Sequence, residues 1–347
     1  MNLFKKIGST AIRRRRAALA VIAAVILLTG FVFYLYATTP VNPLTAAATV
    51  NIPKGSGFLR ITEILDEAGL VQNRPFFWAL ALFKKANRHI RAGEYEMTGA
   101  MSPSDIIEKL VRGAIKEYKV TLPEDISVGE VVKRLSAFNL INEKEFLRLA
   151  TDRFYLATLG IDAESVEGYL FPNTYLLDRS MTTREIFEII VGQFHKRVTP
   201  EMRKRAEEIG LTVSQWVTLA SIIGKESGND TEKPLISAVF HNRLALGMKL
   251  QSDPTAVYHL TENGTPVTAV RKKHLEADTP HNTYKINGLP PGPIANPGID
   301  SLQAALYPAK ADYLYFVAKN DGSHQFSTNL AAHNRAVLKY QINKQKK

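Results

Sequence analysis

LTVSQWVTLASIIGKES, residues 211–227, is the clearest helical stretch in the chain. Thr212 and Gln215 have the spacing of a capping box, in which two side chains cap backbone N–H groups at a helix N-terminus. Apolar residues from Trp216 to Ile223 then recur at helical spacing, which predicts one buried face. Glu226 lies three residues beyond the last of these. It therefore projects from the end of the apolar face, near the C-terminus of the predicted helix.

This position predicts a raised pKa for the Glu226 carboxyl. Apolar surroundings and the negative end of the helix dipole both disfavour the ionised form. A carboxyl that stays protonated near neutral pH can act as a general acid. The competing interpretation is an ordinary surface glutamate at a helix end, so the helix pattern alone leaves both interpretations open.

Polar side chains crowd three segments that follow this helix. The segments are 250–260 (LQSDPTAVYHL), 281–298 (HNTYKINGLPPGPIANPG) and 322–334 (GSHQFSTNLAAHN). Proline and glycine make such loops rigid, so the loops hold hydrogen-bonding groups in place. A second helix is predicted ahead of them, with Asp230 or Thr231 as its cap and Gly247 beyond its end. Asn, Gln, Thr and Tyr in such loops suit the hydroxyl and N-acetyl groups of sugars.

Segment 166–177, VEGYLFPNTYLL, is rich in aromatic residues. Its rings are Tyr169, Phe171 and Tyr175. Exposed rings in a loop would stack on the C–H faces of sugars, whereas aromatic residues more often belong to the core. Both interpretations remain open from the sequence.

The N-terminus carries a basic arm and then a long apolar run. The chain has 347 residues and a net charge of +11, and Lys5, Lys6 and Arg13–Arg16 precede the first acidic residue. No charged residue occurs from Ala17 to Ala37, a length that spans a bilayer as a helix. The positive-inside rule then predicts a single pass through the inner (cytoplasmic) membrane, with the N-terminus cytoplasmic and everything after Thr38 outside. We disfavour the alternative, a cleaved signal peptide, because the run is long for one.

Composition excludes several classes of protein. The chain has no cysteine, which excludes disulfides, thiolate metal sites and a cysteine nucleophile. Beyond the basic arm the charges are mixed, without the basic stripe interleaved with aromatic residues that nucleic acid needs. We therefore expect no nucleic-acid partner.

Six segments resemble the endolytic murein transglycosylases of the MltG or YceG-like family. They are EGYLFPNTY, ASIIGKES, FHNRL, GMKLQSDPTAVY, HNTYKINGLPPGPIANPG and HQFSTNLAAHN. The likeness extends from about Val50 to about Tyr340. It implies cleavage of the β-1,4 bond between N-acetylmuramic acid and N-acetylglucosamine within a glycan strand, leaving a 1,6-anhydro-muramyl end. The family's catalytic glutamate falls on Glu226, but the second glutamate that the family commonly has two residues earlier is Gly224 here.

The expected fold class is α+β, with one N-terminal transmembrane helix ahead of two extracytoplasmic parts. Small strand-then-helix units recur in 49–141, and the resemblance implies that the first of them form a LysM-like module that binds peptidoglycan. The expected division is 1–16 basic arm, 17–37 transmembrane helix, 38–48 linker, 49–118 LysM-like module, 119–204 β/α and helical connecting region, 205–341 catalytic domain and 342–347 basic tail.

The polar segments supply the remaining candidates for the site. The expected substrate-binding residues are Ser227, Asn242, Arg243, Gln251, Asp253, Asn282, Thr283, Tyr284, Pro291, Asn296, His324, Phe326, Asn329, His333 and Asn334. Neither a metal nor a cofactor is expected. The resemblance implies peptidoglycan glycan strands as substrate, and membrane-bound glycan polymerases such as penicillin-binding proteins as partners.

Three other functions compete with this interpretation. A hydrolytic muramidase would need a second carboxylate, for which Asp253 is the best candidate. A binding protein that anchors the wall to the membrane would need no catalytic Glu226. A metal-dependent amidase would use His324, His333 and Asp253, but no HExxH-like spacing occurs in the sequence.

Overall fold

The computed structural model describes residues 2–42, 47–86, 90–262, 264, 266–267 and 269–342, and it leaves out the side chains of residues 2–12 and 14. Part of the predicted linker, 43–46, and the predicted basic tail from 343 onward lie outside the described residues. The chain forms two compact units. Unit 1 comprises Met1–Glu117 with Asp178–Ser180, and unit 2 comprises Tyr118–Leu177 with Met181–Lys347. Helices and strands together give the expected α+β class.

Unit 1 begins with one long helix, α1, from Asn2 to Thr38. Its segment Arg15–Thr38 is long and apolar enough to cross a membrane, and no residue of its most apolar stretch is buried within the protein. The predicted apolar run Ala17–Ala37 lies inside this segment. Length, composition and exposure are therefore all consistent with a single membrane anchor.

The rest of unit 1 is an antiparallel pair of strands packed on short helices. The elements are β1 Ala48–Ile52, α2 Phe58–Glu67, α3 Arg74–Phe83, β2 Gly93–Met97 and α4 Pro103–Arg112. Val50 pairs with Tyr95 in the register of β1 and β2, and both side chains are buried. Ser102 caps α4 through a capping box, and Gly113 ends it in the left-handed conformation that glycine adopts without strain.

Residues 38–42 of the predicted linker 38–48 are described, and their backbone is hydrogen-bonded to the rest of unit 1. The Val41 N–H donates to the Met101 carbonyl at 3.1 Å, and the Asn42 N–H donates to the Gly99 carbonyl at 2.8 Å. Val41 is buried in the core of unit 1. An uncharged, proline-containing sequence is typical of a linker, but these backbone hydrogen bonds hold residues 41 and 42 against unit 1.

Unit 2 is mainly helical and contains two more antiparallel strand pairs, β3 with β4 and β5 with β6. Its elements are β3 Tyr118–Leu122, α5 Val128–Ser136, α6 Glu143–Ala150, α7 Arg153–Thr158, β4 Asn173–Leu177, α8 Thr183–Arg197, α9 Pro200–Glu208, α10 Val213–Glu226, α11 Lys233–Ala245, α12 Asp253–Thr261, α13 Lys272–Leu275, α14 Ile299–Leu306, β5 Tyr315–Ala318, β6 His324–Ser327 and α15 Leu330–Val337. A 3₁₀ turn, Asp230–Glu232, precedes α11, and a π-helical turn, Leu338–Ile342, follows α15.

Helix α10 is the central element of unit 2. Thr212 caps it through the predicted capping box with Gln215. Trp216 is fully buried, and its indole N–H donates to the Leu302 carbonyl on α14 at 2.8 Å. The Ser221 hydroxyl accepts the Ile294 N–H at 3.0 Å, which joins α10 to the proline-rich loop. Helix α10 is thus held on several sides by the core.

One continuous core runs through all of unit 2. Phe187 and Phe194 on α8 share it with Trp216 and Ile223 on α10. A boundary between residues 204 and 205 would cut helix α9, so the structure packs the two expected regions 119–204 and 205–341 together.

The aromatic segment 166–177 belongs to this core. Tyr169, Phe171 and Tyr175 are all buried. The Tyr169 ring packs edge-on against Phe194, with 5.0 Å between ring centroids. Of the two interpretations that the sequence left open, the structure supports the core.

Candidate active site

Glu226 is the last residue of α10, and the chain leaves the helix directly after it. Ser227, with extended backbone angles, is the C-cap of the helix. The Ser227 hydroxyl donates to the Asn229 carbonyl, which turns this side chain away from the site. Asn229, rather than Asp230 or Thr231, caps the turn that leads into α11, by accepting the Thr231 N–H.

The Glu226 carboxyl is half-buried and accepts a short hydrogen bond. The Ser252 hydroxyl donates to Glu226 Oε1 at 2.5 Å. The pKa of Glu226 is raised to about 7, mainly by burial and in part by the charge of Asp253, while the Ser252 hydrogen bond and the Arg243 charge oppose the rise. The carboxyl therefore exchanges its proton near neutral pH, which an acid–base catalyst requires.

A buried hydroxyl network fixes the position of Ser252. The Ser252 N–H donates to the Thr283 hydroxyl at 2.9 Å, and the Thr255 hydroxyl donates to the Ser252 carbonyl at 2.6 Å. The Thr255 and Thr283 hydroxyls lie 2.8 Å apart. All three side chains are buried. The polar segments 250–260 and 281–298 thus meet beside Glu226. Their hydrogen bonds restrict the movement of Ser252 away from the Glu226 carboxyl.

Arg243 closes the site from helix α11. Its guanidinium donates to the backbone carbonyls of Leu250 and Leu314, both at 2.7 Å. The same group lies over the Tyr315 ring, 5.2 Å from its centroid. Because its N–H groups donate to backbone carbonyls of two loops, the buried guanidinium holds these loops in place. It also puts a positive charge near Glu226.

A polar cleft of about 530 Å³ opens on one side of Glu226. Its lining includes many of the predicted substrate-binding residues, namely Arg243, Gln251, Asp253, Tyr284, His324, His333 and Asn334. Leu250, Tyr315 and Phe316 add apolar surface. Rings, amides and imidazoles around the Glu226 and Asp253 carboxyls form a surface suited to the hydroxyls and apolar faces of sugars.

A second depression, of about 480 Å³, also includes Glu226 in its lining. Glu226 and Asp253 line both depressions. The second one is more apolar and includes Pro254, Val257 and Ile294, with Lys225 at its edge. Two open depressions therefore share the Glu226 carboxyl.

Asp253 is tied to a tyrosine at the edge of this site. The Tyr284 hydroxyl donates to Asp253 Oδ1 at 2.6 Å. Burial raises the pKa of Tyr284 above its usual range, and the Asp253 carboxylate adds to the rise. Tyr284 therefore stays protonated and keeps donating to Asp253.

Several predicted substrate contacts are instead part of the scaffold. The Asn242 amide donates to the Ala311 and Tyr313 carbonyls. Asn282 and Thr283 are fully buried, and the Asn282 amide donates to the Ala277 carbonyl at 2.6 Å. These side chains hold backbone that carries the cleft, because their polar atoms already have partners inside the protein.

Asn296 joins its own loop to two other segments in the interior of unit 2. Its carbonyl oxygen accepts the N–H groups of Gly168 and Leu170, both at 2.9 Å. Its amide donates to the Ile126 carbonyl and to the Glu167 carboxylate. With 1% exposure, Asn296 does not reach the cleft.

Three further candidates lie apart from the residues that line the two depressions. Pro291 is exposed on the proline-rich loop. Phe326 packs on Tyr313, with ring centroids 5.5 Å apart, and Asn329 caps α15 by accepting the Ala332 N–H.

The two histidines of the third polar segment take separate positions in the polar cleft. His324 Nδ1 lies 2.7 Å from a Glu232 carboxylate oxygen. His333 stacks on the Tyr315 ring, with centroids 5.1 Å apart, and burial lowers its pKa, so it is neutral near pH 7. Within the described ranges, no three His, Asp or Glu side chains gather as a metal site.

A carboxylate from elsewhere in the chain fills the space beside Gly224. A Cβ added at Gly224 would lie 1.9 Å from Asp125 Oδ1. Asp125 has a left-handed backbone with φ of 62°, and burial raises its pKa to about 6. The structure thus brings an acidic group to the helix position where the family commonly has glutamate, although that group comes from another segment.

Sequence reasoning missed two residues that support this site. Ser252 lies inside the quoted segment QSDPT but was not singled out, because a serine between glutamine and aspartate has no distinctive pattern. Glu167 is buried with 2% exposure and accepts the Tyr258 hydroxyl and the Val128 N–H, each at 3.1 Å. Burial raises its pKa to about 8. Its place in EGYLFPNTY was the available signal.

Comparison with known proteins places the chain in a family. A model of the YceG-like family matches residues 50–339. Fold and site define an α+β protein with a half-buried glutamate at an open cleft. The chain belongs to the YceG-like family.

Named relatives agree with this assignment. The endolytic murein transglycosylase of Bacillus subtilis (strain 168) is 32% identical over 337 residues, covering 90% of this chain and 91% of that protein. The endolytic murein transglycosylase of Streptococcus pneumoniae serotype 2 is 27% identical, and the match covers 90% of this chain but 62% of that relative. A crystal structure of a yceG-like protein from Listeria monocytogenes superimposes with a TM-score of 0.58 at 32% identity, covering 83% of this chain and 98% of that one.

Proposed function

We propose that this protein is an endolytic murein transglycosylase, a lyase that cuts the β-1,4 bond between N-acetylmuramic acid and N-acetylglucosamine within peptidoglycan strands. The observation that carries the proposal is Glu226, a carboxyl with a pKa near 7 that lines two open depressions. The names of the relatives support the same activity.

Glu226 performs both proton transfers in the proposed mechanism. Its protonated carboxyl gives the proton to the glycosidic oxygen as the bond to the muramyl C1 breaks. The resulting carboxylate then takes the proton from the muramyl C6 hydroxyl, whose oxygen bonds to C1 and closes the 1,6-anhydro ring. Glu226 is again protonated at the end. No water is consumed, because the nucleophile belongs to the substrate and is already in place.

Ser252 and Arg243 set the state of Glu226 during this cycle. The Ser252 hydroxyl holds one carboxyl oxygen through the 2.5 Å hydrogen bond, which leaves the other oxygen to meet the substrate. The positive charge of Arg243 favours the carboxylate formed after the first transfer. Both effects keep the pKa from rising so far that the first transfer, the donation of the proton, stalls.

The two depressions support an endolytic mode of action. A strand that lies across Glu226 has sugars on both sides of the broken bond. Polar side chains of the first depression, such as Gln251, His333 and Asn334, are proposed to contact one side of the strand. The more apolar second depression receives the other side, and a site closed at one end would not allow this.

Unit 1 is proposed to hold the enzyme at the wall and the membrane. Its order β1-α2-α3-β2, with the two strands antiparallel, supports the LysM-like assignment and a role in binding peptidoglycan. Segment Arg15–Thr38 would anchor the chain in the inner membrane. The basic residues before it support a cytoplasmic N-terminus, with both compact parts after Thr38 outside.

Membrane-bound glycan polymerases, such as penicillin-binding proteins, are proposed as partners, because an anchored endolytic enzyme would set the length of strands made beside it. Crosslinking in cells followed by purification of the chain should recover a polymerase. Recovery of none would contradict this part of the proposal.

The assignment of Glu226 is tested with a Glu226→Gln variant. The amide keeps the size of the side chain but cannot give or take the proton, so strand cleavage is expected to fall by about 10²–10⁴-fold. Soluble muropeptides released from purified sacculi are the measurement. Binding to sacculi should be unchanged, and unchanged cleavage would contradict the assignment.

A matched control comes from the same protein. A Glu232 carboxylate oxygen lies 2.7 Å from Nδ1 of His324. Glu232 is not among the residues that line either depression. Glu232→Gln is expected to retain most of the cleavage activity, and an equal loss in both variants would point to a general effect on folding.

A further inference from the structure

Helix α3 of unit 1 is apolar on almost every side. Arg74 is followed by nine apolar residues, PFFWALALF. One face, with Phe77 and Leu80, is buried in the core of unit 1. On the remaining surface Trp78 is 46% exposed and Phe83 is 81% exposed. A helix that is apolar all round is normally covered all round, so the outer surface of α3 calls for an apolar cover.

The end of α1 fixes where that surface lies. The Phe76 ring of α3 packs edge-on against Phe33 and Tyr36 of α1, with centroids 6.0 and 5.4 Å apart. The Tyr36 hydroxyl donates to the carbonyl of Asn73, the N-cap of α3, at 3.1 Å. Helix α3 is therefore held beside the last turns of α1.

The length of α1 sets the depth of α3 relative to a bilayer. About 20 helical residues cross the hydrocarbon core. Counting from Ala17, the first residue after the basic arm, such a span ends near Tyr36. Aromatic residues concentrate at this boundary between lipid tails and headgroups. Because α3 packs on Phe33 and Tyr36, it lies at the same level.

We propose that α3 is a second membrane contact, lying in the outer boundary of the bilayer that α1 crosses. Trp78, Leu82 and Phe83 would lie among the upper acyl chains, and the exposed Lys84 directly after the helix would face lipid phosphates. The partner is a lipid surface. The inference rests on the anchoring part of the proposed function and is independent of glycan cleavage.

Tryptophan fluorescence tests this contact, because the chain has two tryptophans in opposite environments. Trp78 is exposed on α3, whereas Trp216 is fully buried in unit 2. The full-length chain is reconstituted alone into vesicles of phosphatidylcholine and phosphatidylglycerol, with lipids brominated near the headgroup end of the acyl chains. The difference between the wild type and a Trp78→Phe variant then reports Trp78.

The expected result is at least a twofold loss of Trp78 emission in brominated vesicles, with little quenching by aqueous iodide. Quenching by iodide but not by brominated lipid would overturn the proposal, since α3 would then face water. Quenching by neither would also overturn it, because the protein itself would cover α3.

A matched pair of substitutions localises the effect. Phe83→Ser removes the most exposed ring of α3, and it should reduce quenching of Trp78 by brominated lipid at least twofold. Phe154→Ser removes a 91% exposed ring from α7 in unit 2 and should leave the quenching unchanged. Equal effects from the two variants would contradict the assignment to α3. Strand cleavage measured on the same vesicles reports the proposed function separately, so the two failures are distinguishable.

Discussion

Adjacent residues act on the Glu226 carboxyl in opposite directions. The Ser252 hydroxyl donates to it and lowers its pKa, whereas the negative charge of Asp253 raises it. Since both come from the segment QSDPT, one short loop both places the acid and sets the pH at which it works. A cleavage rate that depends on protonated Glu226 should fall as the pH rises past about 7.

Substitutions at these two positions should move the pH profile in opposite directions. Ser252→Ala removes the hydrogen bond that favours the carboxylate, so the descending limb of kcat/KM should move to higher pH, with a loss of about tenfold in rate from poorer placement. Asp253→Asn removes a repulsive charge, so the limb should move to lower pH. The measurement is kcat/KM for soluble glycan strands from pH 5 to 9.

The size of the activity loss in Asp253→Asn distinguishes a transglycosylase from a muramidase with two carboxylates. In the transglycosylase, Asp253→Asn keeps activity within about tenfold of the wild type, because one carboxyl performs both transfers. A loss of about a thousandfold in that variant would instead assign a chemical step to Asp253.

Glu226 also makes stability depend on pH. Its pKa is about 7 in the folded protein, against 4.5 for an unperturbed glutamate. Between these values the folded state keeps a proton that the unfolded state has lost, so stability falls as the pH rises from about 4.5 to 7. Glu226→Gln should therefore raise the Tm, by more at pH 8 than at pH 4.5. An equal Tm difference at both pH values would contradict the raised pKa.

At the scale of elements, the end of α10 depends on close approach by a second segment. The Asp125 carboxyl occupies the space next to Gly224, and Asp125 Oδ1 is buried without a hydrogen-bond partner among the described residues. The Lys225 ammonium donates to the Asp125 carbonyl at 3.2 Å. Gly224 lets these two segments meet, because no side chain stands between them.

Gly224→Ala should consequently destabilise unit 2. The added methyl overlaps the Asp125 carboxyl, and overpacking of this kind costs about 1–3 kcal/mol. Asp125→Gly removes the carboxyl and suits the left-handed backbone there, so Gly224→Ala should cost less than about 1 kcal/mol in that background. Chemical denaturation of the four proteins in the cycle measures the difference. Equal costs in both backgrounds would show that Asp125 does not fill the space.

The elements themselves were largely predictable, and their contacts were not. Helix α10 forms with its capping box because local spacing specifies both. The pairing of Thr255 with Thr283 joins residues 28 apart, and no local pattern encodes it. The same limit explains why Asn282 and Asn296 were predicted as substrate contacts. Their residue types suit sugars, but only the folded chain shows that their amides are used inside.

At the scale of the whole molecule, the two depressions that share Glu226 are proposed to determine how strands are cut. Both depressions are open, and both include Glu226. Their existence could not be read from the sequence, because residues from α10, α12 and β5 come together only in the fold.

This geometry predicts the size of early products. Long, uncrosslinked glycan strands should give a broad range of intermediate lengths in the first few per cent of reaction, because cleavage starts within the strand. Size-separated products followed over time are the measurement. Early accumulation of disaccharides with little change in strand length would indicate an exolytic enzyme and would contradict the open cleft.

The central claim is that Glu226 lets the substrate's own C6 hydroxyl replace water. Digestion of glycan strands in H₂¹⁸O, followed by mass spectrometry of the new ends, tests it most directly. The account predicts 1,6-anhydro-muramyl ends without ¹⁸O, and their loss in Glu226→Gln. Reducing ends that carry one ¹⁸O would show hydrolysis and would contradict the account.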